Sequence, residues 1–229
     1  MINIAIDGFT GSGKGTLANG IAKQFNLKHL DTGAIFRGIG CAYTEMGYND
    51  LSEEIVNKHI KDISISVIFK DGTQRILLDG KDITGNLRTE TASQMSSKVS
   101  VYGSVREKYL EIVQEFAKNY DCIIDGRDIT SVVLPNADVK IFLDAAEEIR
   151  AKRRYEENVT KNIPCTYEEV LKNLHERDYR DSHREIAPLK IVPDAIVVDN
   201  SNLSIEETIE TCTKIIQEKL EELGKISRC

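Results

Sequence analysis

Short apolar runs alternate along the chain with longer segments whose apolar residues recur every three or four positions. The apolar runs predict buried strands at residues 2–7, 27–31, 121–128, 139–145 and 195–200. The helical spacing predicts helices at residues 14–25, 104–118, 147–158, 166–182 and 204–222. Strands that alternate with helices indicate an α/β fold, with a mainly parallel sheet covered by helices on both faces.

One segment departs from this alternation. Residues 63–84 contain two extended runs around Asp71-Gly72, and a second turn follows at Asp79-Gly80. Asp-Gly between extended runs is a strong hairpin signal. We therefore predict a small antiparallel sheet, inserted between the second and third strands of the main sheet, that borders the ligand site.

Polar residues end most of the predicted parallel strands. In open α/β sheets the ligand lies at the carboxyl ends of the strands. The residues that fall at those ends are Asp7-Gly8, Asp31-Thr32, Asp125-Gly126 and Asp144. The polar residues at the ends of the predicted parallel strands are therefore predicted to form the ligand site.

The stretch GFTGSGKGT, residues 8–16, joins the first strand to the first helix. Backbone N–H groups of such a glycine-rich loop, together with the positive end of the helix, surround a phosphate group. Lys14 adds a charge for the β and γ phosphates. In the general phosphate-loop pattern Ser or Thr directly follows Gly-Lys, whereas here Gly15 shifts the hydroxyl to Thr16. The G-K-G-T form is typical of kinases that phosphorylate nucleoside monophosphates, and the chain lacks the N-K-x-D guanine motif of GTPases.

Two strand ends carry further candidates for phosphate chemistry. Thr32 has two interpretations. It is the N-cap of the following helix, or it faces the glycine loop together with Arg37 on the same helix. In the second case the guanidinium of Arg37 would donate paired hydrogen bonds to a phosphate. In D-G-R-D, residues 125–128, Asp125 is placed to hold Mg²⁺-bound water. Arg127 would then bind a phosphate, and Asp128 would accept a hydrogen bond from an exocyclic amine.

The C-terminal half is rich in arginine. Arg177, Asp181 and Arg184 are spaced to share one helical face, which is either part of the site or an exposed salt-bridged surface. Arg150, Arg153 and Arg154 follow the fourth strand of the main sheet, and the stretch TKNIPC after them is predicted to be a loop. Phosphoryl transfer needs alignment of two anionic substrates and neutralisation of their charge, and this arginine surplus suits both.

Composition narrows the class of protein. The chain has 229 residues and a net charge of −7, which argues against general nucleic-acid binding. No apolar run is long enough for a membrane helix. The cysteines form no C-x-x-C pair or Cys/His cluster, so we expect reduced thiols in a cytoplasm at Cys41, Cys122, Cys165, Cys212 and Cys229.

Together these stretches resemble the bacterial-type cytidylate (CMP) kinases, from Ile2 to about Leu220. The resemblance rests on GFTGSGKGT, LDTGAIFR, the 63–84 insert, V-R-E at 105–107, DGRD, KIFLDA and ERDYRDSHR with A-P-L after it. It implies a P-loop NTPase three-layer fold with a five-stranded parallel sheet, a small antiparallel β insert in the nucleoside monophosphate-binding region and a short lid. The implied single kinase domain, 1–229, has a core at 1–31, 101–152 and 166–229, a substrate-binding insert at 32–100 and a lid at 153–165.

The resemblance also implies residue roles. The ATP phosphates would be held by Gly8, Phe9, Thr10, Gly11, Ser12, Gly13, Lys14, Gly15 and Thr16. The CMP site would be lined by Thr32, Arg37, Ser97, Arg106, Gly126, Arg127, Asp128, Arg177, Asp181 and Arg184. Of these, Ser97, Arg106 and Asp128 would meet the cytosine, Arg177 and Asp181 the ribose, and Arg37, Arg127 and Arg184 the phosphate. The catalytic charges would be Lys14, Arg153, Arg154 and Arg184.

Mg²⁺ is expected to be held mostly by phosphates and water, with Thr16 and Asp125 in support and no metal site made of protein ligands alone. The family usually has Pro-Ser where this chain has Phe9-Thr10, and Phe36 replaces a common tyrosine. These departures bear on substrate affinity and leave the charged site residues in place.

The implied activity is reversible transfer of the γ-phosphate of ATP to CMP or dCMP, giving ADP and the nucleoside diphosphate, with Mg²⁺, in pyrimidine nucleotide metabolism. The implied partners are these small molecules, with no nucleic acid and no membrane, for a cytoplasmic monomer. Two alternatives stay open: a kinase of UMP, AMP or a non-nucleotide alcohol, and a nucleotide-binding switch. The arginines beyond the glycine loop argue against the switch, because a switch needs one nucleotide site only.

Overall fold

Eight strands and eight α-helices, with one short 3-10 helix and one π-helical segment, make up the fold in this computed structural model, which describes residues 1–227. The strands are β1 (Asn3–Asp7), β2 (Lys28–Asp31), β3 (Ile65–Lys70), β4 (Thr73–Leu78), β5 (Lys81–Asp82), β6 (Cys122–Gly126), β7 (Val139–Asp144) and β8 (Ile196–Asp199). The helices are α1 (Lys14–Phe25), α2 (Thr32–Glu45), α3 (Glu53–His59), α4 (Glu90–Val99), α5 (Gly103–Asn119), α6 (Glu147–Thr160), α7 (Tyr167–His183) and α8 (Ile205–Glu222). No helix in this described part of the chain is long and apolar enough to cross a membrane.

The larger sheet has five strands in the order β2-β6-β1-β7-β8, which confirms the predicted sheet. The chain divides into two compact units. The first unit is Lys28–Tyr120 with Met1, and the second is Ile2–Leu27 with the chain from Asp121 onward.

The second unit is built around β1. This strand pairs in parallel with β6 and β7, with Ala5 opposite Ile124 and Lys140, and β7 pairs in parallel with β8. Apolar side chains of these strands pack with those of α1 and α8 in one core, in which Ile6, Ile21 and Ile216 are fully buried. Their β-branched and aliphatic character suits strands buried in a parallel sheet.

Helix α1 has the bounds that its apolar spacing predicts. The chain enters it through Gly13, with a φ of 92°, and leaves it through Asn26, with a φ of 54°. Glycine and asparagine adopt this left-handed conformation most readily. A Cβ on Gly20 would lie 2.6 Å from Cδ1 of Ile209, so the glycine permits the close approach of α1 and α8.

The first unit contains the predicted antiparallel sheet, in the order β3-β4-β5. The β3–β4 register pairs Ile65 with Leu78 and Lys70 with Thr73. Asp71 and Gly72 have φ values of 51° and 71°, and the second Asp-Gly turn follows β4. Two positive φ values in a two-residue loop match the twist of a hairpin, so the hairpin prediction is confirmed.

Short helices α3 and α4 of the first unit were not predicted. Each is capped by a hydroxyl at its start, because Ser52 accepts from the N–H of Ile55 and Thr89 accepts from the N–H of Ala92. Helix α4 packs closely on α2, and a Cβ on Gly40 would lie 2.9 Å from Cβ of Met95. Tertiary packing stabilises these elements despite their short apolar patterns.

The cysteines have no disulfide partners among the residues that the structure describes. Cys41, Cys122, Cys165 and Cys212 are free thiols, and Cys229 lies outside the described residues. Burial raises the pKa of Cys122 to about 12 and that of Cys212 to about 11. Thiols with such pKa values stay protonated at neutral pH and are poor nucleophiles.

Candidate active site

The glycine-rich loop between β1 and α1 has a backbone that only glycine adopts easily. Gly8, Gly11 and Gly13 have φ values of 154°, 79° and 92°. A Cβ on Gly8 would lie 2.1 Å from the carbonyl oxygen of Leu143. The loop therefore passes directly against β7 and leads into the N-terminus of α1, where unpaired N–H groups favour a bound anion.

Lys14 is the first residue of α1 and is buried. Its Nζ donates to the carbonyl oxygen of Phe9 at 2.6 Å and to Oγ of Ser12 at 3.3 Å. Burial is the main cause that holds the pKa of Lys14 well below its usual value, and the nearby charge of Arg127 lowers it further. The loop thus surrounds an ammonium group that would be stabilised by an anionic ligand.

Thr10, at the tip of the loop, is fixed by a buried ion pair between α6 and α7. Asp178 accepts from the N–H of Thr10 at 3.1 Å, while Arg150 donates to the carbonyl oxygen of Thr10 at 3.0 Å. Arg150 also donates to Asp178 and to the carbonyl oxygen of Ala145, and its guanidinium lies 5.1 Å from the ring centroid of Phe9. Both groups of the ion pair are buried, which makes it a rigid support for the loop.

Asn200 supports the other side of the loop. It is buried directly after β8, and its Nδ2 donates to the carbonyl oxygen of Ser12 at 3.0 Å. Arg153 donates to Oδ1 and to the carbonyl oxygen of Asn200, at 3.0 and 2.8 Å. Arg153 is therefore connected to the phosphate loop through a single residue.

The end of β6 holds the predicted D-G-R-D residues. Asp125 and Asp128 are buried, and Arg127 lies between them in the sequence. Nε of Arg127 donates to Asp181 at 2.9 Å, and its Nη2 donates to Oγ1 of Thr10 at 2.8 Å. Oδ1 of Asp128 lies 3.5 Å from Nη2 of Arg184.

Opposite charges keep Arg127 and Asp181 ionised. Burial disfavours the charged form of Arg127, but the neighbouring carboxylates, above all Asp181, raise its pKa. Burial likewise disfavours ionised Asp181, but the charges of Arg127 and Arg177 outweigh it and lower the pKa of Asp181. The pair therefore presents fixed charges at neutral pH.

Asp7 anchors the segment that follows Asp128. Its carboxylate, at the end of β1, accepts from the N–H groups of Ile129 and Thr130, at 2.9 and 2.8 Å, and from Oγ1 of Thr130 at 2.6 Å. These residues begin a π-helical segment, Ile129–Val133. Burial raises the pKa of Asp7, and the hydrogen bonds from Thr130 and Ile129 oppose that rise.

The alternative of an exposed salt-bridged face on α7 is wrong. The side chains of Asp181 and Arg184 are only 15% and 8% exposed. Arg184 follows the last helical turn with extended backbone, and its Nε donates to the carbonyl oxygen of Ala187 at 2.7 Å. The N–H of Leu189 donates to the carbonyl oxygen of Asp181 at 2.8 Å, so the A-P-L stretch folds back on the helix end.

Arg154 lies in a more exposed setting on α6 and forms an ion pair with Glu157 at 3.0 Å. Helix α6 continues to Thr160, and the segment between α6 and α7 is the predicted loop. The roles of Arg153 and Arg154 in phosphoryl transfer stay predictions.

The remaining predicted residues lie in the first unit. Asp31, rather than Thr32, is the N-cap of α2, since its carboxylate accepts from the N–H of Ala34; Thr32 is the first helical residue. The alternative that made Thr32 the cap is therefore wrong. Arg37, one and a half turns later, forms an ion pair with Asp31 at 2.6 Å.

Ser97 and Arg106 belong to α4 and α5. Arg106 is buried, and its Nη1 donates to the carbonyl oxygen of Ser100 at 3.1 Å. Its guanidinium lies 5.8 Å from the ring centroid of Phe36 and 5.9 Å from that of Tyr109. Phe36 thus packs against a buried cation.

Five residues that shape the second unit's part of the site were not assigned these roles from sequence: Asp7, Thr10, Arg150, Asp178 and Asn200. Their partners lie far along the chain, 117 positions for Thr10 with Arg127 and 188 for Asn200 with Ser12. The signal in the sequence was their place at strand ends, in the glycine-rich loop or in arginine-rich helices.

Comparison with known proteins matches this chain to one family, both by a family sequence model and by individual relatives. Residues 4–218 match the sequence model of a family described as cytidylate kinase. A cytidylate kinase of Caldicellulosiruptor saccharolyticus is 42% identical over 209 residues, covering 91% of this chain and 92% of that protein. A cytidylate kinase of Thermosipho melanesiensis is 44% identical over 216 residues, covering 94% and 97%.

A solved structure supports the fold. The crystal structure of an uncharacterised protein from Eubacterium ventriosum aligns with a TM-score of 0.52 and 14% identity, over 95% of this chain and 98% of that one. At this identity the likeness concerns the fold alone.

Proposed function

The chain belongs to the cytidylate kinase family, and from this premise we propose that it transfers the γ-phosphate of ATP to CMP or dCMP, giving ADP and CDP or dCDP. The observation that carries the proposal is the family match over residues 4–218. The glycine-rich loop around the buried Lys14 supports it independently. We further propose a cytoplasmic, monomeric enzyme of pyrimidine nucleotide metabolism, as the resemblance implies.

The loop Gly8–Thr16 is proposed to bind the ATP phosphates. Its left-handed glycines and the N-terminus of α1 provide backbone N–H groups for phosphate oxygens. Lys14 would place a positive charge against the β and γ phosphates, and that anion would restore the charged form that burial disfavours. No general base is needed, because charge stabilisation and alignment account for most of phosphoryl-transfer catalysis.

We propose Mg²⁺ as the accompanying ion. Thr16 is an exposed residue in the first turn of α1, and Asp125, the penultimate residue of β6, lies near enough to Lys14 to raise the pKa of that lysine. Hydroxyl and carboxylate oxygens suit Mg²⁺. Within residues 1–227 no group of three or more His, Cys, Asp and Glu is arranged to hold a metal. We propose that the ion is bound largely by phosphates and water. The bound ion would neutralise charge on the phosphates.

In the second unit, we assign Arg127 and Arg184 to the phosphate of CMP, Arg177 and Asp181 to its ribose, and Asp128 to its base. Arg127 is held by Asp181 and Thr10, which orients its guanidinium plane. Gly126 before it has no side chain to obstruct a ligand. Asp128, beside Arg184, would accept from the amine of cytosine and repel the carbonyl of uracil.

In the first unit, we assign Arg37 and Thr32 to the phosphate side of CMP, and Ser97 and Arg106 to the base. The cation of Arg106 is fixed by Ser100 and by aromatic rings, as a base-reading group should be. Arg153 and Arg154 on α6 are proposed to approach the transferring phosphoryl group, where their charge would neutralise its oxygens.

The proposal is tested by ADP release with CMP, dCMP, UMP, AMP or no acceptor. We expect turnover with CMP and dCMP, and little with UMP or AMP. The variant Asp128→Ala should lose CMP turnover and the preference for CMP over UMP, whereas Glu210→Gln, at an exposed ion pair with Lys214, should retain both. Acceptor-independent ADP release in the wild type would contradict the kinase assignment, and an unchanged preference in Asp128→Ala would contradict the base-reading role.

A further inference from the structure

The side chain of Thr10 points to a role beyond the phosphate loop, because its hydroxyl accepts a hydrogen bond from an arginine outside the loop. Oγ1 of Thr10 accepts from Nη2 of Arg127 at 2.8 Å. Arg127 comes from the end of β6, 117 residues later in the chain. A side chain of the loop proposed for ATP thus contacts an arginine proposed for CMP.

The backbone of Thr10 is fixed on both sides, so the Cα from which its side chain extends has a defined position. The N–H donates to Asp178 at 3.1 Å, and the carbonyl oxygen accepts from Arg150 at 3.0 Å. Arg150 and Asp178 are buried and bonded to each other. Moving the backbone of Thr10 would require breaking at least one of these charge-assisted bonds, which are the stronger class of hydrogen bond, and the bond to Arg127 then selects one rotamer of the side chain.

Arg127 is held at two edges of its guanidinium group. Asp181 accepts from Nε at 2.9 Å, and Thr10 accepts from Nη2 at 2.8 Å. A third, longer bond runs from Nη1 to the carbonyl oxygen of Gly126 at 3.3 Å. Asp181 supplies charge as well as orientation, whereas Thr10 supplies orientation alone.

We propose that Thr10 is a positioning residue for the acceptor phosphate: its hydroxyl sets the plane of Arg127 and so aligns that guanidinium with the phosphate of CMP. This inference rests on the proposed function, and in particular on the role of Arg127. It gives Thr10 a side-chain role toward the acceptor, in addition to the backbone role of the loop toward ATP. It also gives a physical reason for a hydroxyl residue at this position of the loop.

The test replaces Thr10 with Val, which keeps the size of the side chain and removes the acceptor oxygen. We expect KM for CMP to rise about tenfold, the size of one hydrogen bond to a charged group, with KM for ATP changed less than twofold. Thr10→Ser should restore a near wild-type KM for CMP, because it returns the hydroxyl. Thr208→Val is the matched control, since it removes a hydroxyl of a buried residue in α8 that donates to the carbonyl oxygen of Ser204, the N-cap of that helix. It should change neither KM.

A double-mutant cycle with Arg127→Ala decides whether the effect passes through Arg127. If it does, Thr10→Val in the Arg127→Ala background should leave the Kd for CMP unchanged. An equal rise in both KM values, a full effect that persists without Arg127, or no rescue by Ser would overturn the positioning role. A wild-type enzyme that shows no CMP-dependent ADP release would instead overturn the proposed function, and this inference with it.

Discussion

The ammonium group of Lys14 lies where burial removes it from water and Arg127 adds a like charge. Both causes favour the neutral amine, so the pKa of Lys14 lies well below its usual value. A bound polyphosphate would reverse this preference. Nucleotide binding should therefore take up a proton at pH values between the lowered pKa of Lys14 in the free protein and its raised pKa in the complex.

We predict that the affinity for a non-hydrolysable ATP analogue falls as pH rises between these two pKa values, by up to about tenfold per pH unit for one linked proton. Calorimetry in buffers of different ionisation enthalpy measures the proton uptake directly. The Lys14→Met variant should show weak binding without this uptake, while Lys23→Met, at an exposed position of the same helix, should keep it. Uptake that survives in Lys14→Met would show that another group titrates.

Individual turns in the first unit show what a short sequence motif can determine by itself. The Asp71-Gly72 hairpin was predictable because both φ values must be positive there and few residues tolerate this. The unpredicted helices α3 and α4 lack such a local requirement. They depend on packing, such as the contact of Gly40 with Met95, that no short window contains.

Two glycines of this unit allow the backbone effect to be measured alone. Gly72 has a φ of 71°, Gly85 has no positive φ, and a Cβ on either would meet no atom within 4 Å. We predict that Gly72→Ala lowers the free energy of unfolding by about 1 kcal/mol, and that Gly85→Ala changes it by less than about 0.5 kcal/mol. Urea titration of both variants measures the difference, and equal effects would show that the left-handed turn contributes nothing.

The fold was predictable to a greater extent than the site. Strand ends and the bounds of α1 follow from apolar periodicity and from glycine and asparagine at the helix termini. The sequence also indicated the loop, Lys14 and the D-G-R-D residues. It did not indicate that Asp178, Arg150 and Arg127 all converge on Thr10, because partners 168, 140 and 117 residues apart leave no local pattern.

The Arg150–Asp178 pair joins the phosphate loop to α6 and α7, so its loss should weaken the second unit as a whole. Both groups are buried, and removing one partner leaves a buried charge uncompensated. We predict that Arg150→Met lowers the free energy of unfolding by about 3 kcal/mol. The double variant Arg150→Met/Asp178→Leu should recover part of this loss, because it removes the isolated carboxylate as well.

Chemical denaturation of the single and double variants measures these changes. Glu210→Gln is the matched control, because its ion pair with Lys214 has side chains that are 67% and 68% exposed, and it should cost less than about 1 kcal/mol. A double variant less stable than Arg150→Met would mean that Asp178 stabilises the loop mainly through the N–H of Thr10. Partial recovery would instead show that much of the loss in Arg150→Met comes from the isolated, buried carboxylate of Asp178.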